Sequence, residues 1–82
     1  MEIFKLAQTA VKGWDTYSDC VVIAENAEQA RRMHPRGGWI GQEYNDGRDW
    51  PIAADDITAE HLGTADASYA LPQVMCASFH AG

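Results

Sequence analysis

The sequence predicts an α+β fold: a four-stranded, mainly antiparallel sheet with one short helix packed on one face, in the order β-β-α-β-β. Three observations predict it. Four short runs carry the apolar content of strands, one capped helical segment stands between the second and third, and 82 residues is the length of one domain.

The first run, "EIFKLAQT" (2–9), alternates, with Phe4 and Leu6 on one side and Ile3, Lys5 and Ala7 on the other, as a strand requires. Gly13 and Asp15 are turn residues. They lead into "YSDCVVIAE" (17–25), whose β-branched Val21, Val22 and Ile23 predict a second strand paired with the first as a hairpin.

"ENAEQARRMHP" is the clearest local signal. Asn26 is a good N-cap, Gln29 lies three positions on as a capping-box partner, Glu28 complements the positive helix end, and Pro35 forces a stop. The spacing predicts about two turns, held across the sheet by Ala27, Ala30 and Met33 or His34.

Residues 36–56, "RGGWIGQEYNDGRDWPIAADD", have no sustained periodicity. A loop this long in so small a domain is usually functional or disordered, and its aromatics Trp39, Tyr44 and Trp50 argue for order. "DITAEHLGTA" (56–65) predicts the third strand, ended by Gly63, and "QVMCASFHA" (73–81) the fourth. Both faces of the fourth are apolar, which predicts a central position.

Composition excludes several classes of function. The chain has six basic and twelve acidic residues and a formal charge of -6, which opposes nucleic-acid phosphates and anionic membranes. No stretch approaches the roughly 18 apolar residues of a membrane span, and the N-terminus lacks the pattern of a cleaved leader, so a soluble, intracellular protein is expected. Cys20 and Cys76 lie in apolar strand-like runs and read as reduced thiols. A domain of this size buries only roughly 60–65% of the surface its unfolded chain exposes, so a working surface is expected rather than a deep pocket.

Tests for chemistry point away from catalysis. Asp55 and Asp56 are adjacent, so their side chains diverge and suit a solvated turn better than an acid/base pair. Cys76 and His80 would stand about 13 Å apart along a strand, and with Cys20, His34 and His61 they form no close pair of zinc ligands. No G-x-S-x-G elbow occurs, and "RGGWIG" lacks the lysine of a phosphate loop. No enzyme activity, metal or cofactor is expected.

The charge is unevenly distributed. Glu43, Asp46, Asp49, Asp55, Asp56 and Glu60 face only one base, Arg48, between positions 43 and 60, whereas the rest of the chain has six acids and five bases. With Trp39, Tyr44 and Trp50, rings of the kind enriched at binding hot spots, these acids are the expected partner-binding surface, with one or two of the rings folding back to cap the core. A second reading places a polar metabolite or nucleotide at the hairpin mouth, Asp15, Thr16 and Tyr17. A third is a structural phage protein that self-associates through a sheet edge.

"DTYSDCVVIA", "ARRMHP", "LGTA" and "CASFHAG" together resemble the motifs of a family of small phage and prophage proteins, over most of the chain outside the loop. The family resembles anti-CRISPR proteins directed at type I systems. The resemblance implies an inhibitor that binds a CRISPR surveillance complex by protein contacts, acts in the cytoplasm of the infected bacterial host, and stops the complex engaging target DNA. An acidic face on a basic, nucleic-acid-gripping surface would amount to DNA mimicry. Direct nucleic-acid and membrane contacts are not expected, and the chain itself would be a monomer or a weak homodimer.

Overall fold

The computed structural model describes residues 1–42 and 44–80. Strands β1 (Glu2–Gln8) and β2 (Thr16–Ala24) are followed by helix α1 (Ala27–Ala30), a 3-10 turn at Ala54–Asp56, and strands β3 (Ile57–Thr64) and β4 (Gln73–His80). The four strands form one sheet in the order β3-β1-β2-β4, with every neighbouring pair antiparallel. The expected α+β architecture is thus what the chain adopts.

The first hairpin occupies the middle of the sheet, with Phe4 opposite Val22 and Leu6 opposite Cys20. The later strands flank it, β3 on β1 and β4 on β2. This corrects the central position expected for β4, which is an edge strand and largely exposed beyond Val74. Its two apolar faces reflect an uncovered edge that carries Met75 and Phe79 half in solvent, rather than burial from both sides.

Helix α1 is a single turn instead of two. Asn26 Oδ1 accepts from the Gln29 N–H at 2.8 Å, as an N-cap does, while Gln29 Oε1 accepts from the Glu25 N–H at 2.7 Å, so the return bond reaches one residue further upstream than in the usual capping box. After Ala30 the chain turns through Arg31 and Arg32 into an isolated antiparallel bridge between Met33 and Trp39. Ala30 and Met33 are buried, and Ala27 is exposed.

One helical turn cannot roof four strands, and the irregular segment completes the layer. Phe4, Leu6, Cys20, Val22, Ala24 and Ile57 of the sheet form one cluster with Ala30, Met33 and Trp50. Trp50, fully buried, is the largest side chain in it, and its burial contributes roughly 3 kcal/mol by apolar area. On the other face of the sheet Ile23, in register with Ile3 and Gln73, is the buried residue.

Cys20 and Cys76 are both free. Their strands are neighbours, but the register sets Cys20 against Ala77 and Cys76 against Val21, which puts the two thiols on opposite faces.

Candidate functional site

The loop is fixed by polar side chains that the sheet and helix bury. His34 follows the turn after α1 and is 1% exposed. The Arg36 backbone N–H donates to its Nδ1 at 3.0 Å, so the ring proton sits on Nε2, which donates to Asp49 Oδ1 at 3.1 Å. Arg36 Nη2 donates to the other carboxylate oxygen of Asp49. The Asp49 carbonyl in turn accepts from the Tyr17 N–H at 2.9 Å, tying this network to β2.

Burial of the ring lowers the His34 pKa, with the Asp49 carboxylate acting in the opposite direction. His34 and Asp49 are paired like a catalytic dyad, but both ring nitrogens are engaged and the ring is out of solvent. Neither can take a proton from a bound molecule without breaking the loop, so the pair is a structural anchor.

A second anchor is Asn45, also buried. Its Nδ2 donates to the carbonyls of Gly37 (3.3 Å) and Trp39 (2.9 Å), and its own carbonyl accepts from the Gly41 N–H at 2.9 Å. The tight return requires Gly38 at φ 73°, where an added Cβ would stand 2.9 Å from Gln42 Oε1.

These anchors divide the expected binding residues. Asp49 and Trp50 belong to the interior: the first is neutralised by Arg36 and hydrogen-bonded to His34, and the second fills the core, so neither side chain is available to a partner. This corrects their assignment to the binding surface. Glu43 lies outside the described residues. Tyr44 is 75% exposed, Trp39 half so, and Asp46 is exposed and paired with Arg48 at 3.0 Å. Asp55 and Asp56 are exposed in the 3-10 turn ahead of β3. Glu60 stands opposite Lys5 on the sheet face away from the loop.

Trp39 lies beside Pro72, Gln73 and Val74 at the start of β4, whereas the topology gathers Tyr44, Asp46, Asp55 and Asp56 at the opposite end of the sheet. Ile57, which follows Asp56, pairs with Gln8, and Thr16 pairs with His80. The turn carrying Trp14 and Asp15, the start of β3 and the end of β4 therefore share that end, spread over three strand spacings, roughly 14 Å. There an open cleft of about 540 Å³ is lined by Asp15, Asp46 and Asp49, by Arg36 and Arg48, and by the rings of Tyr44 and Phe79.

Sequence reasoning missed Trp14, Arg36, Arg48 and Phe79 as members of this surface. Trp14 is the most exposed aromatic, at 76%, and its signal was its place between Gly13 and Asp15 in an anticipated turn. Of the alternative mouth residues, Asp15 lines the cleft. Thr16 is buried, with Oγ1 donating to the Gly13 carbonyl at 2.7 Å, and the Tyr17 ring packs between His34 and Phe79 at centroid distances of 5.9 and 4.7 Å.

Both cleft arginines already have carboxylate partners, Arg36 with Asp49 and Arg48 with Asp46. An incoming anion would have to displace them, whereas the surrounding charge favours a cation. Among the described residues, no three His, Cys, Asp or Glu side chains come together to hold a metal ion, and no helix is long and apolar enough to cross a membrane. No protein-family model, curated protein or solved structure matches the chain.

Proposed function

We propose that the protein is a binding module whose acidic, aromatic sheet end docks on a basic protein surface, and that it acts as a phage-encoded anti-CRISPR inhibitor of a type I surveillance complex. The observation that carries the reading is the pinning of the acid-bearing segment by His34, Asp49, Asn45 and Trp50, which makes it a fixed surface rather than slack. A preorganised surface binds without first losing loop entropy. Trp14 and Tyr44 supply the exposed rings, and Asp15, Asp46, Asp55 and Asp56 the charge. The partner's identity rests on the family resemblance, and its basic character on charge complementarity.

The test is capture of the surveillance complex by the tagged protein, with target-DNA binding by the complex as the second readout. Replacing Asp46, Asp55 and Asp56 by asparagine is expected to weaken capture at low salt and to flatten its salt dependence. Glu60→Gln, on the opposite face, is the control and is expected to leave both unchanged. Undiminished capture and inhibition by the triple variant would remove the electrostatic basis of the proposal.

A further inference from the structure

The two sheet edges differ in chemistry. The β3 edge carries Glu60 and His61 and begins next to Asp55 and Asp56, which discourage pairing with another strand. β4, "QVMCASFH", has no Asp, Glu, Lys or Arg in a chain of net charge -6. It is hydrogen-bonded to β2 on one side only, so alternate backbone N–H and C=O groups along its other side face outward.

The register identifies the usable part of that edge. Val21 pairs with Cys76 and Val22 with Val74, so Met75 is an extra residue that kinks β4. From Cys76 to His80 the strand is uninterrupted, because the second irregularity, at Ser18, lies on β2.

We infer that this stretch of β4 pairs antiparallel with the same stretch of a second copy of the chain, giving a two-fold symmetric dimer with a continuous eight-stranded sheet. The symmetry sets the register. A two-fold axis normal to the sheet keeps each side chain on its own face, and directly opposed residues share a face, so the axis must pass through a residue opposed to its own copy. For the uninterrupted stretch that residue is Ser78. Cys76 then opposes His80, and Ala77 opposes Phe79.

Two features favour a second copy as the occupant. No opposed pair contains an Asp, Glu, Lys or Arg, so the strand meets itself without the repulsion that β3 would impose. The Phe79 ring, half-exposed and packed at a tilt against Tyr17, meets the small Ala77 of the other copy, and symmetry makes this large-on-small contact twice.

The dimer has its own salt signature. Each copy carries a net charge of -6, so two copies repel one another as they associate. Salt screens that repulsion, and self-association is expected to tighten several-fold between low and high ionic strength, whereas docking on a basic partner weakens. The inference does not depend on the identity of that partner.

Sedimentation equilibrium of the whole chain, up to about 1 mM in roughly 0.1 M and 1 M salt, tests it. The expected result is a monomer–dimer equilibrium that shifts to dimer in high salt and is lost in Ser78→Lys, which opposes two ammonium groups at the axis. Ser78→Cys in a Cys76→Ser background is expected to oxidise to a covalent dimer, because the two sulfurs face each other across the axis, whereas Thr58→Cys on β3 in the same background is not. A wild-type chain that stays monomeric throughout, a Ser78→Lys dimer, or equal cross-linking from Thr58→Cys would each overturn the assignment.

Discussion

Removing the Asp49 carboxylate is the sharpest test of how the loop is held. In Asp49→Ala the His34 Nε2–H loses its acceptor in a site where the ring is 1% exposed, and an orphaned buried donor costs about 1–3 kcal/mol. The Arg36 contact adds less than about 1 kcal/mol, because the guanidinium is half-exposed and regains water. The total, about 1–4 kcal/mol, is a sizeable part of the roughly 4–12 kcal/mol expected of a domain this size. Thermal unfolding followed by circular dichroism at pH 7 should show a melting temperature lower by roughly 5–30 °C.

Asp49→Asn keeps an acceptor for His34 and should recover part of the loss, while Asp46→Asn, on the exposed carboxylate, should change little. The pH dependence supplies a second readout. Because burial depresses the His34 pKa in the folded chain below the ordinary histidine value of 6.5, the unfolded chain binds the proton more readily. Stability from this group is therefore fully present above pH 6.5 and declines as pH falls through the folded-state value. In Asp49→Ala the raising influence of the carboxylate is gone while burial remains, so the acid loss should extend over a wider range. An Asp49→Ala chain within 0.5 kcal/mol of the wild type, or an equal loss in Asp46→Asn, would refute the anchoring role.

Two further predictions concern the interior. Trp50→Ala should cost about 3–5 kcal/mol in denaturant unfolding and release the loop from the sheet, and a variant with native stability would show that the indole is not the keystone of that layer. Cys76, exposed on β4, should react promptly with a thiol reagent, whereas Cys20, whose pKa is pushed up to about 12 by burial, should react on the order of 1000-fold more slowly. Comparable rates would contradict the register that places the two on opposite faces.

The central hairpin was legible because its information is local. Alternation in "IFKLAQ" and the β-branched run after Cys20 specify which face each side chain takes, and the register follows from that. The Asn26 cap was legible for the same reason, since donor and acceptor lie three residues apart. Strand order was not. An apolar strand reads alike whether it is covered on both sides or bare on one edge, and only the pairing of β3 with β1 leaves β4 outside.

The site was partly legible. Its acidity and its rings stand out in the composition, but Asp49 looked like a surface charge because carboxylates are rarely buried unless paired. Its partners, His34 and Arg36, lie fifteen and thirteen residues away, beyond any local pattern. Trp50 was concealed likewise, as a core residue inside an aperiodic segment.

Placing the first hairpin between two later strands constrains how the chain is made. While it is being synthesised, the β1–β2 pair has both flanks bare, and β1 must wait for Ile57–Thr64 and β2 for Gln73–His80 before either is covered. Nothing short of residue 80 completes the sheet. A translation product cut off before β4 would display the naked side of β2, where Cys20, Val22 and Ile23 invite aggregation.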